Sequence, residues 1–154
     1  MTRHTNRILL VDDDTSSLEV LCEVLTRAGY ETLSATSGYE ALRIVQENLI
    51  ALAILDFNLP DTTGAELLGQ IKQFHPDVPV IIMSANTSQR IKLDVFEAGA
   101  YTFIAKPIDL RQLLQFVARG LNFRQQWASA SRPDSQTIQI KKSFFFRWVR
   151  IIKH

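Results

Sequence analysis

The stretch ILLVDDDTSSLEVL, residues 8–21, runs four apolar residues into three consecutive aspartates and then resumes an apolar pattern at helical spacing. Such a run indicates a buried strand that is followed directly by an amphipathic helix. Repulsion among Asp12, Asp13 and Asp14 is unfavourable at neutral pH unless water solvates the carboxylates or a cation lies between them. The stretch therefore predicts a strand–helix junction that is either exposed to solvent or binds a cation.

Four further apolar runs are each followed by residues at helical spacing. The predicted strands are residues 7–11, 32–35, 52–56, 78–83 and 101–105. Nearly continuous apolar strands indicate a parallel sheet that helices cover on both faces, with right-handed crossovers. We therefore predict an α/β fold, a doubly wound (βα)5 flavodoxin-like parallel sheet with the strand order 2-1-3-4-5, although periodicity alone does not fix that order.

Capping signals mark the predicted helix ends. Thr15 or Ser16 is suited to cap the first helix, and we interpret Asp14 as a cap rather than as a metal ligand. Ser37 is suited to cap the second helix, and Gly29 to end the first. These signals support the alternation of strands and helices.

The charge distribution divides the chain. Residues 1–123 carry 10 Lys and Arg against 15 Asp and Glu, a net charge of −5, whereas residues 124–154 carry 7 against 1, a net charge of +6. With 46% hydrophobic residues, the chain is able to bury a substantial core. We predict a compact domain, residues 6–122, a polar linker, 123–140, and a basic amphipathic tail, 141–154.

The tail KKSFFFRWVRIIKH, residues 141–154, has its apolar residues at helical spacing and basic residues on the other side. Three interpretations stay open: contact with an anionic membrane surface, docking on a partner or on the domain, and disorder. We favour docking or disorder over membrane contact because the segment is short and the linker is polar. About 31 residues are too few for an ordinary DNA-binding domain, so no nucleic-acid partner is expected.

The N-terminal residues give no sign of export. MTRHTNR carries positive charge, but only four apolar residues follow before the aspartates. That run is too short for a secretory signal or a membrane span. The single cysteine, Cys22, excludes an internal disulfide bond. We expect a soluble cytoplasmic protein.

Polar side chains lie at the ends of four predicted strands. Asp12 and Asp13 follow the first strand, Asp56 ends the third, Ser84 ends the fourth and Lys106 follows the fifth. Because the carboxyl ends of parallel strands meet at one edge of a sheet, we expect these side chains to share one rim.

Carboxylate oxygens at this rim suit Mg²⁺, which prefers one or two protein carboxylates together with phosphate oxygens. With the cation present, a carboxylate is able to attack phosphorus, since the metal, the lysine and the hydroxyl neutralise the oxygens of the transferring group. The sequence thus predicts an acyl phosphate on one aspartate. The three histidines are scattered along the chain, and we assign none of them a catalytic role.

Four motifs together carry a resemblance to a known family. They are the acidic pair at 12–13, DFNLP at 56–60 followed by Gly64, MSA at 83–85 and KP at 106–107. Each motif is weak alone, but the combination is specific. Over residues 6–122 the chain resembles the CheY-like receiver domain of two-component response regulators.

The resemblance implies which residues bind the metal and the phosphoryl group. Asp56 would accept the phosphoryl group. Asp13 and Asp56 would bind Mg²⁺ together with the backbone carbonyl of Asn58, and Asp12 would assist directly or through water. Thr63 stands where an aspartate is common in the family, which should alter the loop before Gly64 more than the chemistry.

The resemblance also implies a switch. Ser84 would donate a hydrogen bond to a phosphoryl oxygen, and Lys106 would pair with Asp56 or with the phosphoryl group. The aromatic switch residue would be Phe103, which lacks the hydroxyl group of a tyrosine. The bond between Lys106 and Pro107 would be cis, a form that prolyl bonds tolerate.

Our first hypothesis is a response regulator that a sensor histidine kinase, a phosphotransfer protein or a small phosphodonor phosphorylates on Asp56. Its output surface would be the fourth helix, fifth strand and fifth helix, approximately residues 87–122, which bind a downstream protein partner or a second copy of the chain. The protein would be no turnover enzyme, because it is itself the substrate that is modified and reset.

Two other classes remain as alternatives. A phosphorylation-independent scaffold with the receiver fold would act through its basic tail, but it has no need of the complete set of polar residues at the rim. A metal-dependent phosphatase usually carries a second aspartate two residues after its nucleophile, and this chain has Asn58 there. The general acid of such an enzyme is therefore missing.

Overall fold

The computed structural model describes residues 6–129, which form a single parallel sheet between two layers of helices. The elements are β1 Arg7–Val11, α1 Thr15–Arg27, β2 Glu31–Ala35, α2 Gly38–Glu47, β3 Leu52–Asp56, α3 Gly64–Phe74, β4 Val80–Ser84, α4 Gln89–Glu97, β5 Thr102–Ala105 and α5 Leu110–Ser129. The strand order is β2-β1-β3-β4-β5, with every pair parallel. The predicted doubly wound sheet and its order are confirmed.

The central strands are buried on both faces because successive side chains point to opposite sides of the sheet. In β1, Leu9 and Val11 join a cluster with α2, α3 and α4, whereas Ile8 and Leu10 join a cluster with α1 and α5. This two-sided burial explains why the strands read as continuous apolar runs. The carboxyl edge of the sheet is left for polar residues.

The helix ends follow the local capping signals with one difference. Asp14 has an extended backbone, and its side chain accepts hydrogen bonds from two backbone amides at the start of α1. Asp14 is therefore the N-cap, whereas Thr15 and Ser16 are the first two residues of the helix. Ser37 caps α2 as predicted. Gly29 has a φ of 97°, a left-handed conformation that favours glycine after a helix.

Helix α5 continues beyond the domain end that we predicted at residue 122. The Phe123 ring lies 5.6 Å from the ring of Tyr101, and Arg124 Nε lies 3.4 Å from Asp77 Oδ2. These contacts hold the next turn of the helix against the domain. Residues 123–129, the first part of the predicted linker, are thus helical.

The remainder of the predicted linker and the basic tail, residues 141–154, lie outside the described residues. Between residues 6 and 129, none of the helices combines the length and the apolar character that a membrane span requires.

Candidate functional site

Three carboxylates meet at the carboxyl edge of the sheet. One oxygen each of Asp12, Asp13 and Asp56 lies within 4.8 Å of the others. Asp12 is fully buried and Asp56 is 7% exposed, whereas Asp13 is exposed. The neighbouring strands β1 and β3, which pair in register up to Val11 and Leu55, bring Asp12 and Asp56 to the same edge.

Lys106 lies between the two buried carboxylates. Its Nζ is 3.1 Å from Asp12 Oδ2 and 2.8 Å from Asp56 Oδ2. The Asp14 amide donates to Asp12 Oδ1 at 3.0 Å, and the Asn58 amide donates to Asp56 Oδ1 at 3.2 Å. All four oxygens of the buried carboxylates therefore have a polar partner, as buried groups require.

Burial and ion pairing act in opposite directions on these groups. Removal from water raises the pKa of Asp56, and the hydrogen bond from Lys106 offsets this only in part. Burial disfavours the charge of Lys106, but its hydrogen bonds to Asp56 and Asp12 outweigh burial and raise the pKa of Lys106. Lys106 is therefore charged at neutral pH, and Asp56 is a carboxylate of increased basicity.

Ser84 lies at the end of β4, fully buried. Its Oγ accepts the Asn86 amide at 3.1 Å, and its carbonyl accepts the Lys106 amide at 2.9 Å. The backbone bond ties the ends of β4 and β5 together. The predicted hydroxyl and ammonium groups are therefore brought to the same edge as the carboxylates.

The segment after β3, residues 57–63, is called the 57–63 loop below. The two ends of this loop lie close together, because the Gly64 amide donates a hydrogen bond to the Phe57 carbonyl at 2.6 Å. A Cβ atom at position 64 would lie 2.8 Å from the Asp56 carbonyl oxygen and 2.9 Å from Phe57 Cα. Glycine thus lets α3 start against the end of β3. Thr63, the departure from the family pattern, caps α3.

Phe103 precedes the lysine by three positions, and Pro107 follows it directly. Phe103 is half-buried in the cluster on the α4 side, and Lys92 Nζ lies 5.7 Å from the centroid of its ring. The peptide bond between Lys106 and Pro107 is cis, as the resemblance implied.

An open groove of about 390 Å³ lies beside the site, between α1 and the start of α5. Asp12 and Lys106 line it together with apolar side chains such as Val20, Pro107 and Leu110. The groove thus borders the side of the site that carries Lys106.

The residues fit a hard divalent cation. Three carboxylates against one ammonium group leave the site with a formal charge of −2. Asp13 makes no ion pair with any residue of the described part of the chain. Oxygen ligands with excess negative charge are the donors that Mg²⁺ and similar cations prefer. Asp12, Asp13 and Asp56 could therefore hold such an ion.

A family model described as response regulator receiver domain matches residues 8–118. The chain belongs to this family. Among curated relatives, the receiver is similar to the DNA-binding transcriptional regulator NtrC of Bradyrhizobium sp. (strain RP501 Parasponia), with 36% identity over 129 residues, 84% of this chain and 27% of NtrC. It is also similar to the response regulator protein PilR of Pseudomonas aeruginosa, with 33% identity over 132 residues, 86% of this chain and 30% of PilR.

Solved structures agree with this assignment. A CheY-like receiver domain protein from Methanospirillum hungatei JF-1 matches with a TM-score of 0.76 and 32% identity, over 79% of this chain and 98% of that one. This receiver spans less than a third of the length of NtrC and PilR. The matched residues are thus the receiver domain of a two-component response regulator.

Sequence reasoning missed one residue of the 57–63 loop. The Asp61 carboxylate accepts the backbone amides of Gly38 and Tyr39, each at 2.9 Å. The pair Pro60–Asp61 signals a turn, but a turn signal does not reveal a hydrogen-bond partner 22 residues away.

Proposed function

We propose that the protein is a phosphoryl-accepting response regulator whose Asp56 is phosphorylated in a Mg²⁺-dependent reaction. The observation that carries the proposal is the position of Asp56, 2.8 Å from the Lys106 ammonium group and beside the acidic pair Asp12 and Asp13. The donor is a phosphohistidine of a sensor histidine kinase or phosphotransfer protein, or a small phosphodonor. The groove beside the site is lined by Lys106 and Asp12, so a donor that enters it would meet the lysine that pairs with Asp56.

In the transfer, a carboxylate oxygen of Asp56 forms a bond to phosphorus, and the bond from phosphorus to the donor nitrogen or oxygen breaks. The electron pair of that bond leaves with the donor, which takes up a proton from water. The Asp56 side chain keeps its ion pair with Lys106 Nζ at 2.8 Å, which fixes the carboxylate in place for the attack. Water later hydrolyses the acyl phosphate, which restores the carboxylate and releases inorganic phosphate.

The surrounding groups balance the charge that the phosphoryl group brings. Asp12, Asp13, Asp56 and the Asn58 carbonyl are the proposed ligands of Mg²⁺, which supplies positive charge to the phosphoryl oxygens when bound. The Ser84 oxygen already accepts a backbone amide, so its own proton is available for a hydrogen bond to a phosphoryl oxygen. Lys106 is placed to pair with another.

The output surface is proposed to be the α4–β5–α5 face. Helix α4 is anchored by little apolar surface, because Val95 is its one buried residue and Ile91 and Phe96 are only partly buried. A helix anchored by little apolar surface is displaced at low cost. Movement of Ser84 and repacking of Phe103 would therefore shift α4 and change the face that a downstream protein partner or a second copy binds. The DNA binding in the name of NtrC belongs to that protein.

Incubation of the purified chain with acetyl phosphate and Mg²⁺ tests the proposal by intact mass. We expect the gain of one phosphoryl group in the wild type, and no gain in Asp56→Asn or in the presence of EDTA. Asp109→Asn is a matched control, because Asp109, like Asp56, accepts the backbone amide two residues further along the chain but lies outside the carboxylate cluster. It should gain the group as the wild type does.

A wild type that binds Mg²⁺ and gains no phosphoryl group from acetyl phosphate or from a kinase would contradict the proposal. The scaffold hypothesis would then account better for the chain, and its prediction is that Asp56→Asn leaves every binding property unchanged.

A further inference from the structure

The start of α2 is held by a residue from another part of the chain. Ser37 Oγ accepts the Glu40 amide at 3.2 Å, which is ordinary local capping. The two amides before it donate instead to the Asp61 carboxylate, Gly38 to Oδ1 and Tyr39 to Oδ2. One carboxylate thus satisfies two of the amides that a helix start leaves without an intrahelical partner.

The same carboxylate lies at the tip of the 57–63 loop. Below the tip, the Leu59 amide donates to the Thr62 carbonyl at 3.2 Å, and Asn58 and Thr63 form an antiparallel bridge. These bonds join the two sides of the loop, so a restraint on its tip also restrains Asn58. Asn58 in turn donates its amide to Asp56.

Helix α2 and the 57–63 loop also approach each other closely at Gly38. A Cβ atom at Gly38 would collide with the Thr62 side chain. Gly38 is the first residue of α2. The absence of a Cβ atom there lets the loop lie close to the helix start.

We propose that Asp61 is a positioning residue: its carboxylate holds the 57–63 loop against the start of α2 and thereby fixes the Asn58 carbonyl in place for the metal. The proposal rests on the proposed function for the identity of the metal site. The hydrogen bond from the Gly38 amide, and after it that from the Tyr39 amide, also lowers the pKa of Asp61. The carboxylate is therefore fully ionised at neutral pH, beside the positive end of the helix dipole.

Isothermal titration with Mg²⁺ compares Asp61→Ala with Ser37→Ala in the full chain. Both variants remove capping from the same helix start, but only Asp61 connects the helix to the loop. We expect Asp61→Ala to weaken Mg²⁺ binding about tenfold, the usual effect of losing a group that orients a ligand, and Ser37→Ala to change it less than about twofold. Asp61→Asn, which keeps one acceptor oxygen, should fall between Asp61→Ala and the wild type.

Two further readouts separate positioning from helix stability. Hydrogen exchange of the metal-free protein should be faster at residues 58–63 in Asp61→Ala than in Ser37→Ala. Gly38→Ala should also weaken Mg²⁺ binding, because the new Cβ atom would displace Thr62 and the loop from the helix start. The initial rate with acetyl phosphate at saturating Mg²⁺ should stay within about twofold of the wild type in Asp61→Ala, because a positioning residue acts on the metal affinity.

Equal Mg²⁺ affinity in Asp61→Ala and wild type would overturn the proposal, and so would equal losses in Asp61→Ala and Ser37→Ala. A wild type that binds no Mg²⁺ would instead overturn the proposed function, together with the metal-directed role of Asp61.

Discussion

At the scale of single residues, two buried carboxylates share one ammonium group. Asp12 and Asp56 both contact Lys106, and Asp13 adds a further negative charge at the rim. A site built in this way is under electrostatic strain until a cation arrives, because like charges at short distance repel. Replacing a buried carboxylate and replacing the ammonium group should therefore change the stability of the metal-free protein in opposite directions.

Asp56→Asn should stabilise the metal-free protein at neutral pH. A carboxyl group with a raised folded-state pKa contributes stability that is present below its unfolded-state pKa and lost as the pH rises through the folded-state pKa, so ionised Asp56 costs stability at pH 7. We expect a gain in unfolding free energy on the order of 1 kcal/mol after solvent screening. Urea denaturation with EDTA measures it.

The pH dependence of this gain in stability tests the direction of the Asp56 pKa shift. It should shrink as the pH falls through the raised folded-state pKa of Asp56 and vanish below the unfolded-state pKa of about 4. Asp109→Asn serves as the control and should show no gain at pH 7, since Asp109 is exposed. A loss of stability in Asp56→Asn at pH 7 would contradict the account.

Lys106→Met should destabilise the metal-free protein, because it leaves two buried carboxylates without their cation. The lysine side chain is 26% exposed, so we expect about 2 kcal/mol, below the 3–5 kcal/mol typical of a fully buried pair. The raised pKa of Lys106 means that the wild-type contribution is fully present below the unfolded-state pKa and lost as the pH rises through the folded-state pKa.

Saturating Mg²⁺ should raise the unfolding free energy of Lys106→Met by more than that of the wild type, since the metal replaces the missing positive charge. Thermal unfolding with and without Mg²⁺ measures the difference. Lys92→Met, which removes an exposed lysine of α4, should cost less than about 0.5 kcal/mol. Equal Mg²⁺ effects in Lys106→Met and the wild type would show that the lysine and the metal do not share a site.

At the scale of elements, the sheet positions the site and the loops adjust it. Residues at strand ends were predictable because burial on both faces leaves a plain apolar pattern. The fourth strand begins at Val80 rather than at residue 78 and ends at Ser84, because the pairing of β4 with β3 starts at Val80. Pro79, which has no amide to donate, precedes it.

Contacts between residues far apart in the chain determine the two features that the sequence did not predict. Asp61 caps a helix that lies earlier in the chain, and Phe123 extends α5 by packing on Tyr101. Neither contact leaves a periodic signal, because both join residues at least 22 positions apart. Composition suggested a linker from residue 123, whereas tertiary packing made its first residues helical.

Gly64→Ala should disturb the loop between β3 and α3. The new Cβ would lie 2.8 Å from the Asp56 carbonyl oxygen, a backbone atom that cannot turn away. We expect a loss of about 2 kcal/mol in unfolding free energy together with weaker Mg²⁺ binding. Chemical denaturation and calorimetry measure the two effects.

Gly69→Ala is the matched control in the same helix. A Cβ at position 69 meets nothing within 4 Å, so this change should stabilise the protein by about 0.5–1 kcal/mol through helix propensity. Similar effects of the two substitutions would refute the close approach at Gly64.

At the scale of the whole molecule, the metal and the fold are linked. A ligand that binds only the folded state adds RT ln(1 + [L]/Kd), about 1.4 kcal/mol at ten times the Kd. We expect Mg²⁺ to raise the thermal midpoint of the wild type in this way. Asp13→Asn should abolish the response while leaving the metal-free stability nearly unchanged, since Asp13 is exposed. A Mg²⁺ response that persists in Asp13→Asn would exclude Asp13 as a ligand.

Asp56 is proposed to carry the phosphoryl group, and chemical mapping of the modified residue tests this assignment. Reduction of the phosphorylated chain with borohydride converts an aspartyl phosphate into homoserine, which tandem mass spectrometry locates. The account predicts homoserine at position 56 alone, and only when donor and Mg²⁺ were both present. Homoserine at position 12 or 13, or none in a chain that has gained a phosphoryl group, would contradict it.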